Sequence, residues 1–441
     1  MSTSIGVRTG SIAESIEPIL RRFIGREPTI GLRAWDGSTL GPPRPPVTVV
    51  VHSPSALQHL LWSPGELGLA RAYVSGALDI EGDVFALLSV REQLAAPDED
   101  VRLDLGLGGW FDLLRTARRL GLVARRPPIP EEEAHLHGLL HSRRRDAAAI
   151  HHHYDVGNEF YELLLGPRLT YSCGYWTRPD STLEDAEDAK HELVSRKLGI
   201  SPGDRVLDVG CGWGSMAIHA ALHHGAEVVG ITISQEQAEL ARRRVATQGL
   251  SGQVEIRVQD YREIGDGPFD AISSIGMFEH VGSGHMDEYL RHLHDLLRPG
   301  GRLLNHAISR PEPGGDGRVS PRSFMGRYVF PDAALVEVGT VVSAMQGHGL
   351  EVRDVHSLRE HYGRTLRAWV RNLEGSWDRA QRLVGPGRAR VWRLYLAGSA
   401  VGFEQNRTAV HQVLAVRTHG DGRSEMPATR EVYDSTAVGG N

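Results

Sequence analysis

Cysteine is nearly absent. Cys173 and Cys211 are the two thiols in 441 residues. So few, this far apart, make neither a disulfide framework nor a cysteine-built zinc site, and they fit a reducing cytoplasm. Aromatic residues make up only 6% of the chain. No run is long and apolar enough to span a bilayer. The N-terminus MSTSIGVRTGSIAES has no basic stretch followed by an apolar one, so no signal peptide is expected. Cytoplasmic placement follows, with any membrane met at its inner face. Basic excess is also missing: the formal net charge is −6, which argues against nucleic acid as a partner. What is present is ordinary for a globular protein, with 40% hydrophobic and 24% charged residues. The length allows two or three domains.

Residues 1–98 read as a small N-terminal α+β domain. EPILRRFIG has helical spacing, and Asp36-Gly37 is a turn signal between alternating stretches. VTVVVHS is a β-branched strand, followed by helical SALQHLLWS and ELGLARAYVSG. No catalytic constellation occurs here, so packing or docking is the expected role. Residues 99–150 are a linker interrupted by Pro127, Pro128 and Pro130. Its basic clusters, Arg118-Arg119, Arg125-Arg126 and Arg143-Arg144-Arg145, can attract anionic headgroups, although acidic residues lie between them.

From Asp204 onward strands and helices alternate, which implies a mostly parallel sheet covered on both faces. RVLDVG, EVVGITI, VEIRV, FDAISSI and GRLLNHA are the strands, and Ser234 is a natural N-cap. HMDEYLRHLHDLL should end at Arg298-Pro299-Gly300-Gly301. Arg310 to Pro331 is rich in Gly and Pro and is a candidate lid or substrate loop. VHQVLAVRT is a last strand, and the polar residues 419–441 are expected to be disordered.

Gly210-Cys211-Gly212-Trp213-Gly214 joins a strand to a helix. Its glycines permit a tight turn and close approach of backbone to a ligand. The spacing is GxGxG, not GxGxxG, and the next strand ends in Thr232-Ile233-Ser234 without an acid, which weakens a dinucleotide reading. Asp208 before the turn, and Asp260-Tyr261 after the third strand, fit a methyltransferase. Asp260 would accept from the adenine amine, with Tyr261 stacking on the ring.

The chain resembles the cyclopropane-fatty-acyl-phospholipid synthases and their mycolic-acid and branched-fatty-acid relatives. HHYDVGNEFY, YSCGYW, VLDVGCGWG, GITIS, QDYRE, GMFEHVG, RPGG, RYVFPD, HYGRTLRAW and GFEQNR carry the resemblance, from about His151 to Thr418. It implies a class I methyltransferase domain over 151–418, an α/β Rossmann-like doubly wound sheet, beside the smaller α+β domain. GLARAYVSGALDIEGD looks like the extra domain of phospholipid-acting members and implies a phospholipid substrate.

The resemblance further implies methyl transfer from S-adenosylmethionine to a cis double bond, with bound bicarbonate removing a proton to close a cyclopropane. It places the bicarbonate site at Cys173, Glu279, His306, Ile308 and Tyr362. Tyr171, Ser172, Gly210 and Gly212 would meet the methionine end of the cofactor, and Thr232 and Gln237 the ribose. Phe160, Tyr175, Phe278, Tyr328 and Trp369 are candidates for an acyl tunnel, with core packing the alternative for each. A homodimer is also implied.

Three other readings are weighed against the same motifs. A methylene branch, later reduced by a separate reductase, needs the same cation and base. A methyltransferase for a small amine or hydroxyl needs neither the anion site nor the lipid-type domain. A lipid-binding protein without catalysis would not need the intact cofactor turn.

Overall fold

The computed structural model describes residues 11–24, 29–93, 106–120, 122, 126–134, 156–312, 314, 317–320, 322–331 and 334–434. Arg125 and Arg143-Arg144-Arg145 lie outside them. The chain forms two compact units. One comprises residues 1–153, 320–331 and 377–401, the other 154–319, 332–376 and 402–441. The first therefore takes in RYVFP, the helix Trp377–Val384 and most of the helix Pro386–Glu404, which the linear boundaries at 98 and 150 do not anticipate.

In the first unit, strands β1 (Gly31–Arg33), β2 (Thr39–Leu40), β3 (Val47–Val51) and β4 (Leu78–Gly82) form a sheet in the order β2-β1-β3-β4. The Asp36-Gly37 turn closes the β1–β2 hairpin, with Gly37 at φ +83°. Helices α1 (Ile12–Ile24), α2 (Ser55–Trp62), α3 (Glu66–Val74), α4 (Val84–Gln93) and α5 (Gly106–Arg119) accompany it. Arg71 and Glu133 make a buried two-pronged ion pair, with both bonds at 2.8 Å. Tyr328 donates to Glu133 at 3.3 Å, within this same unit.

The second unit is built on a seven-stranded sheet in the order β10-β11-β9-β8-β5-β6-β7. The strands are β5 (Arg205–Val209), β6 (Glu227–Thr232), β7 (Val254–Val258), β8 (Phe269–Ile275), β9 (Leu297–Ser309), β10 (Leu350–Ser357) and β11 (Ala409–Arg417). β5 to β9 run parallel, and β11 is antiparallel to both β9 and β10. From β5 the chain winds first to β6 and β7, then back to β8 and β9. The switch point of the doubly wound fold is thus at the carboxyl end of β5, where ligands bind in such sheets.

Alternation along β5 sorts the two faces. Leu207 and Val209 face a core shared with Leu290 and Leu293 of α11 (Met286–Leu296) and Met345 of α12 (Val338–Gly347). The helices before them are α6 (Asn158–Leu165), α7 (Leu183–Leu198), α8 (Ser215–His224), α9 (Gln235–Thr247) and α10 (Phe278–Val281). Val206 faces the other core, with Val194 of α7, Ala220 of α8 and Ala241 of α9. α13 (Arg359–Gly375) precedes the last strand.

Local chemistry accounts for the ends. Thr182 and Asp185 make a reciprocal capping box on α7, and Gly199 ends that helix in the left-handed conformation. Ser234 caps α9 as its sequence predicts, accepting from Gln237 N at 3.3 Å. The RPGG stretch differs from expectation. α11 stops at Leu296, and Arg298 to Gly301 already belong to β9, as an irregularity between Phe269 and Ala271 of its neighbour. Gly300 takes φ +79° there.

The tail is a correction. Residues 419–434 are folded, not disordered. Tyr433 is 6% exposed within the α7–α9 core, and Arg430 reaches Asp354 at 2.8 Å. An apolar anchor and an ion pair outweigh the polar composition. Among the described residues no helix is long and apolar enough to cross a membrane.

Asp354 of β10 also meets Lys197 at 2.8 Å, with side chains 6% and 2% exposed. Removing one partner of such a pair strands a buried charge. Asp354→Ala should therefore cost about 3–5 kcal/mol, read as a lower denaturant midpoint at an unchanged slope. A midpoint equal to wild type would show that the pair carries no stability.

Candidate active site

The predicted residues come from seven segments, and most converge on the carboxyl edge of the seven-stranded sheet. The YSCGYW loop is fastened to α13 by Thr365, whose Oγ1 accepts from Gly174 N at 3.1 Å and Trp176 Nε1 at 3.0 Å. His361 Nδ1 accepts from Trp176 N at 2.9 Å. A chain of bonds then joins the five anion-site candidates. Cys173 Sγ donates to Leu358 O at 3.6 Å, and Tyr362 N donates to the same carbonyl at 3.1 Å. Leu358 N donates to Val410 O, and Val410 pairs with Ile308 in the β11–β9 ladder. Ile308 N donates to Glu279 Oε1 at 2.7 Å. His306 lies two residues before Ile308, on the same face of β9.

Burial sets the charge of each group. Cys173 is fully buried, and desolvation pushes its thiol far above the usual range, with the charge of Lys190 opposing. At neutral pH it is a thiol, not a nucleophilic thiolate. His306 is 2% exposed, and burial holds it well below its ordinary value, helped by the charges of Lys190 and Lys197. It is neutral. Its Nδ1 lies 3.3 Å from the Gln412 side-chain amide, and with the amide nitrogen facing the ring the ring proton falls on Nε2. Burial raises the Glu279 carboxyl to about 7, against the Ile308 N–H bond that favours the ionised form. His306 Nε2 and Glu279 Oε2 are both buried without a partner. Two such orphaned polar atoms beside one strand end are a costly arrangement, and Asp208 Oδ2 and Gln412 Oε1 in the same unit are buried without partners too. Tyr362 is 8% exposed, packed on Phe403 and edge-on to Trp369.

The cofactor candidates divide. Gly210 and Cys211 both donate to Ile231 O, which folds the turn back over β6. Gly210 has φ +78° and Gly212 φ +54°, and a Cβ on Gly212 would meet nothing within 4 Å. Thr232 Oγ1 donates to Gln237 Oε1 at 2.9 Å, so those two sit together at the end of β6. Asp208 is 3% exposed. Its Oδ1 accepts from Ser273 at 2.7 Å, while Oδ2 is buried without a partner. Burial raises Asp208 to about 6, opposed by that bond and by Lys190. Tyr171 lies between the rings of Tyr161 and Trp369, at 5.5 and 5.3 Å.

Asp260 and Tyr261 depart from expectation. Arg262 occupies both carboxylate oxygens of Asp260, at 2.9 and 2.6 Å. Tyr261 is 6% exposed, edge-on to Tyr289 in the core, with the Arg262 guanidinium 5.3 Å from its ring centre. It is not an open stacking platform. The exposed apolar side chains at these strand ends are Ile233 and Val258, at 55% and 43%. Of the tunnel candidates, Phe160 and Trp369 are fully buried, Phe278 packs on Tyr289, and Tyr175 lies against His361. Tyr328 belongs to the other unit.

Sequence reasoning missed Lys190. This lysine of α7 is 1% exposed and donates to Ser172 Oγ at 3.1 Å. Burial lowers it to about 8, while Glu187, Asp208 and Cys173 pull it up. The signal was available: Leu183, Ala186, Lys190, Leu193 and Lys197 repeat at helical spacing, so a cation sits on the apolar face of α7. A methionine there keeps the volume but loses the donor. Lys190→Met should weaken S-adenosylmethionine binding about tenfold or more by calorimetry, the scale of one charged hydrogen bond. Wild-type affinity in a folded variant would separate Ser172 from the cofactor site.

Comparison with known proteins places this geometry. A sequence model of the family described as mycolic acid cyclopropane synthetase matches residues 141–413. A probable fatty acid methyltransferase of Mycobacterium tuberculosis is 40% identical over 430 residues, covering 95% of this chain and 97% of that protein. The cyclopropane-fatty-acyl-phospholipid synthase of Escherichia coli K12 is 34% identical over 328 residues, covering 71% of this chain and 83% of that one. Among solved structures, mycolic acid cyclopropane synthase CmaA1 in complex with SAH and CTAB superposes with a TM-score of 0.56 at 33% identity, over 61% of this chain and 97% of that one. The sheet order, the glycine turn at its switch point and these matches agree: the chain belongs to the mycolic acid cyclopropane synthetase family and is an S-adenosylmethionine-dependent methyltransferase.

Proposed function

We propose that the protein transfers methyl from S-adenosylmethionine to the cis double bond of an unsaturated phospholipid acyl chain, then closes a cyclopropane by loss of a proton to bound bicarbonate. The observation that carries this reading is the pair of orphaned polar atoms, Glu279 Oε2 and His306 Nε2, at the end of β9. A small anion needs donors. His306 offers Nε2–H, and Glu279 offers a carboxyl proton below about pH 7. When Glu279 is protonated, no ionised Glu279 carboxylate repels a small anion bound there.

When bound, S-adenosylmethionine supplies an electrophilic methyl group and bicarbonate a base. The chain's own residues do the rest. Gly210 and Gly212 let the backbone approach the cofactor, Thr232 and Gln237 hold its ribose, and Ser172, fixed by Lys190, meets its methionine end. Ile233 and Val258 offer apolar surface to the adenine in place of Tyr261. Because an alkene is a weak nucleophile, positioning by the buried aromatics Phe160, Phe278 and Trp369 must supply much of the rate. Water excluded by the same groups would otherwise capture the cation.

One observation favours a second product. The probable fatty acid methyltransferase aligns with 95% of the chain and the cyclopropane synthase with 71%. A 1,2-hydride shift that moves the cation to the methyl-bearing carbon, followed by loss of a proton from the transferred methyl, would give a methylene branch for a separate reductase. Acyl-chain mass spectrometry after incubation with mono-unsaturated phospholipid vesicles separates the outcomes. A gain of one CH2 lacking an alkene supports the ring, and a retained alkene supports the branch. An unchanged lipid, with methyl passing to small amines, would overturn both. Glu279→Gln should bind the cofactor yet turn over roughly 100-fold or more slowly, the usual size of an acid–base contribution.

Docking at a lipid surface completes the proposal. α5 exposes Phe111, at 72%, together with Arg118 and Arg119 in the following turns. Basic residues near an anionic surface contribute about 1 kcal/mol each, screened over roughly 8 Å at physiological salt. Replacing Phe111, Arg118 and Arg119 by Ser should weaken sedimentation with anionic vesicles and leave cofactor affinity unchanged. Equal binding of variant and wild type at low and high salt would remove α5 from docking.

A further inference from the structure

Away from the glycine turn and the β9 end, a set of histidines gathers between α7 and α8. His219 and His224 of α8 point at one carboxylate oxygen of α7: Glu192 Oε2 lies 3.3 Å from His219 Nε2 and 3.0 Å from His224 Nε2. The other oxygen, Oε1, is held by Arg196 Nε at 2.6 Å. His223 and His191 lie close by, with ring centres 4.6 and 5.6 Å from that of His219. Nothing in the proposed methyl transfer uses these residues.

The spacing is that of a coordination polyhedron. With metal–ligand bonds of about 2.0–2.1 Å, tetrahedral ligands stand about 3.3 Å apart. Both carboxylate–imidazole separations are close to that value, and the three ligand atoms lie within 4.8 Å of one another. A ligating carboxylate is ordinarily steadied through its second oxygen, and Arg196 does this here. Asp188, His191 and His219 form an overlapping group, but Asp188 is already paired with Arg168 at 2.7 Å. Glu192 and His224 are half-buried, so an ion has access.

We infer that Glu192, His219 and His224 bind a divalent transition metal of the zinc class through one carboxylate oxygen and two imidazole nitrogens, leaving a fourth position for water. The ion ties α7 to α8. α8 begins at Ser215, with Gly214 of the glycine turn as its N-cap, and α7 carries Lys190, so the clamp braces both supports of the cofactor site from outside it. The alternative is a plain hydrogen-bond cluster in which both Nε2–H groups donate to Glu192.

Cobalt(II) separates the two, because a tetrahedral site gives intense visible absorption. The test uses the full chain freed of metal, titrated with cobalt(II) and then competed with zinc. Variants His224→Gln, Glu192→Gln and the triple change of His151, His152 and His153 to Ala accompany it. His224→Gln sits at a half-buried helix end, and a far-UV circular dichroism spectrum and a metal-free thermal midpoint equal to those of wild type report its fold. One equivalent of cobalt with tetrahedral bands in wild type and in the triple variant, weakened tenfold or more in His224→Gln and Glu192→Gln, is the expected result. Zinc should also raise the thermal midpoint of wild type but not of His224→Gln. Absence of such bands in wild type, equal binding by His224→Gln and Glu192→Gln, or loss of binding in the triple variant would each overturn the site.

Discussion

Loss of water from the carboxyl edge of the seven-stranded sheet is the constraint on which this site rests. Burial drives every ionisable group there toward its neutral form. It raises Cys173, Asp208 and Glu279, and it lowers His306 and Lys190. The result is a set of buried groups whose charged forms are all disfavoured relative to water. Lys190 is the counterweight. Its ammonium, held by Ser172, lowers Asp208 and Cys173 and disfavours a second cation at His306. An apolar acyl chain and a cationic cofactor can share such a place only if charge is rationed in this way.

The topology decides which residues are rationed. Because the chain reverses at β5, the ends of β5, β6, β8 and β9 come to one edge. The antiparallel β11 then brings Gln412 beside His306 and Val410 beside Ile308. Gln412 fixes the tautomer of His306, and the Ile308 amide fixes Glu279. The YSCGYW loop is added from outside the sheet, through Thr365 and His361 of α13. The site is thus held by backbone ladders and one helix, and its side chains inherit their positions.

Much of this was legible in the sequence. The strand–helix alternation, the glycine turn, the Ser234 cap and the hairpin turn containing Asp36-Gly37 are local signals, and each appears where its chemistry requires. What escaped was non-local. The polar tail folds because Tyr433 finds a core and Arg430 finds Asp354, partners that lie far away in sequence. Tyr261 reads as a stacking ring, yet Tyr289 draws it into the core. Residues 320–331 and 377–401 cluster with the N-terminal unit, which linear boundaries do not reveal. Lys190 was visible as a cation on an apolar helix face, but its partner Ser172 becomes evident only once the loop is placed.

The central claim is that burial makes Glu279 a proton carrier near neutrality. The sign is definite. A carboxyl raised from 4.5 to about 7 binds more protons folded than unfolded across that window, so its effect on stability is most favourable at the acid end and is lost as pH rises through 7. Infrared difference spectra between wild type and Glu279→Gln, taken from pH 4 to 9, report the carboxyl directly. The account predicts a protonated carbonyl band that disappears with a midpoint near 7. A midpoint near 4.5, the value of an exposed glutamate, would contradict it.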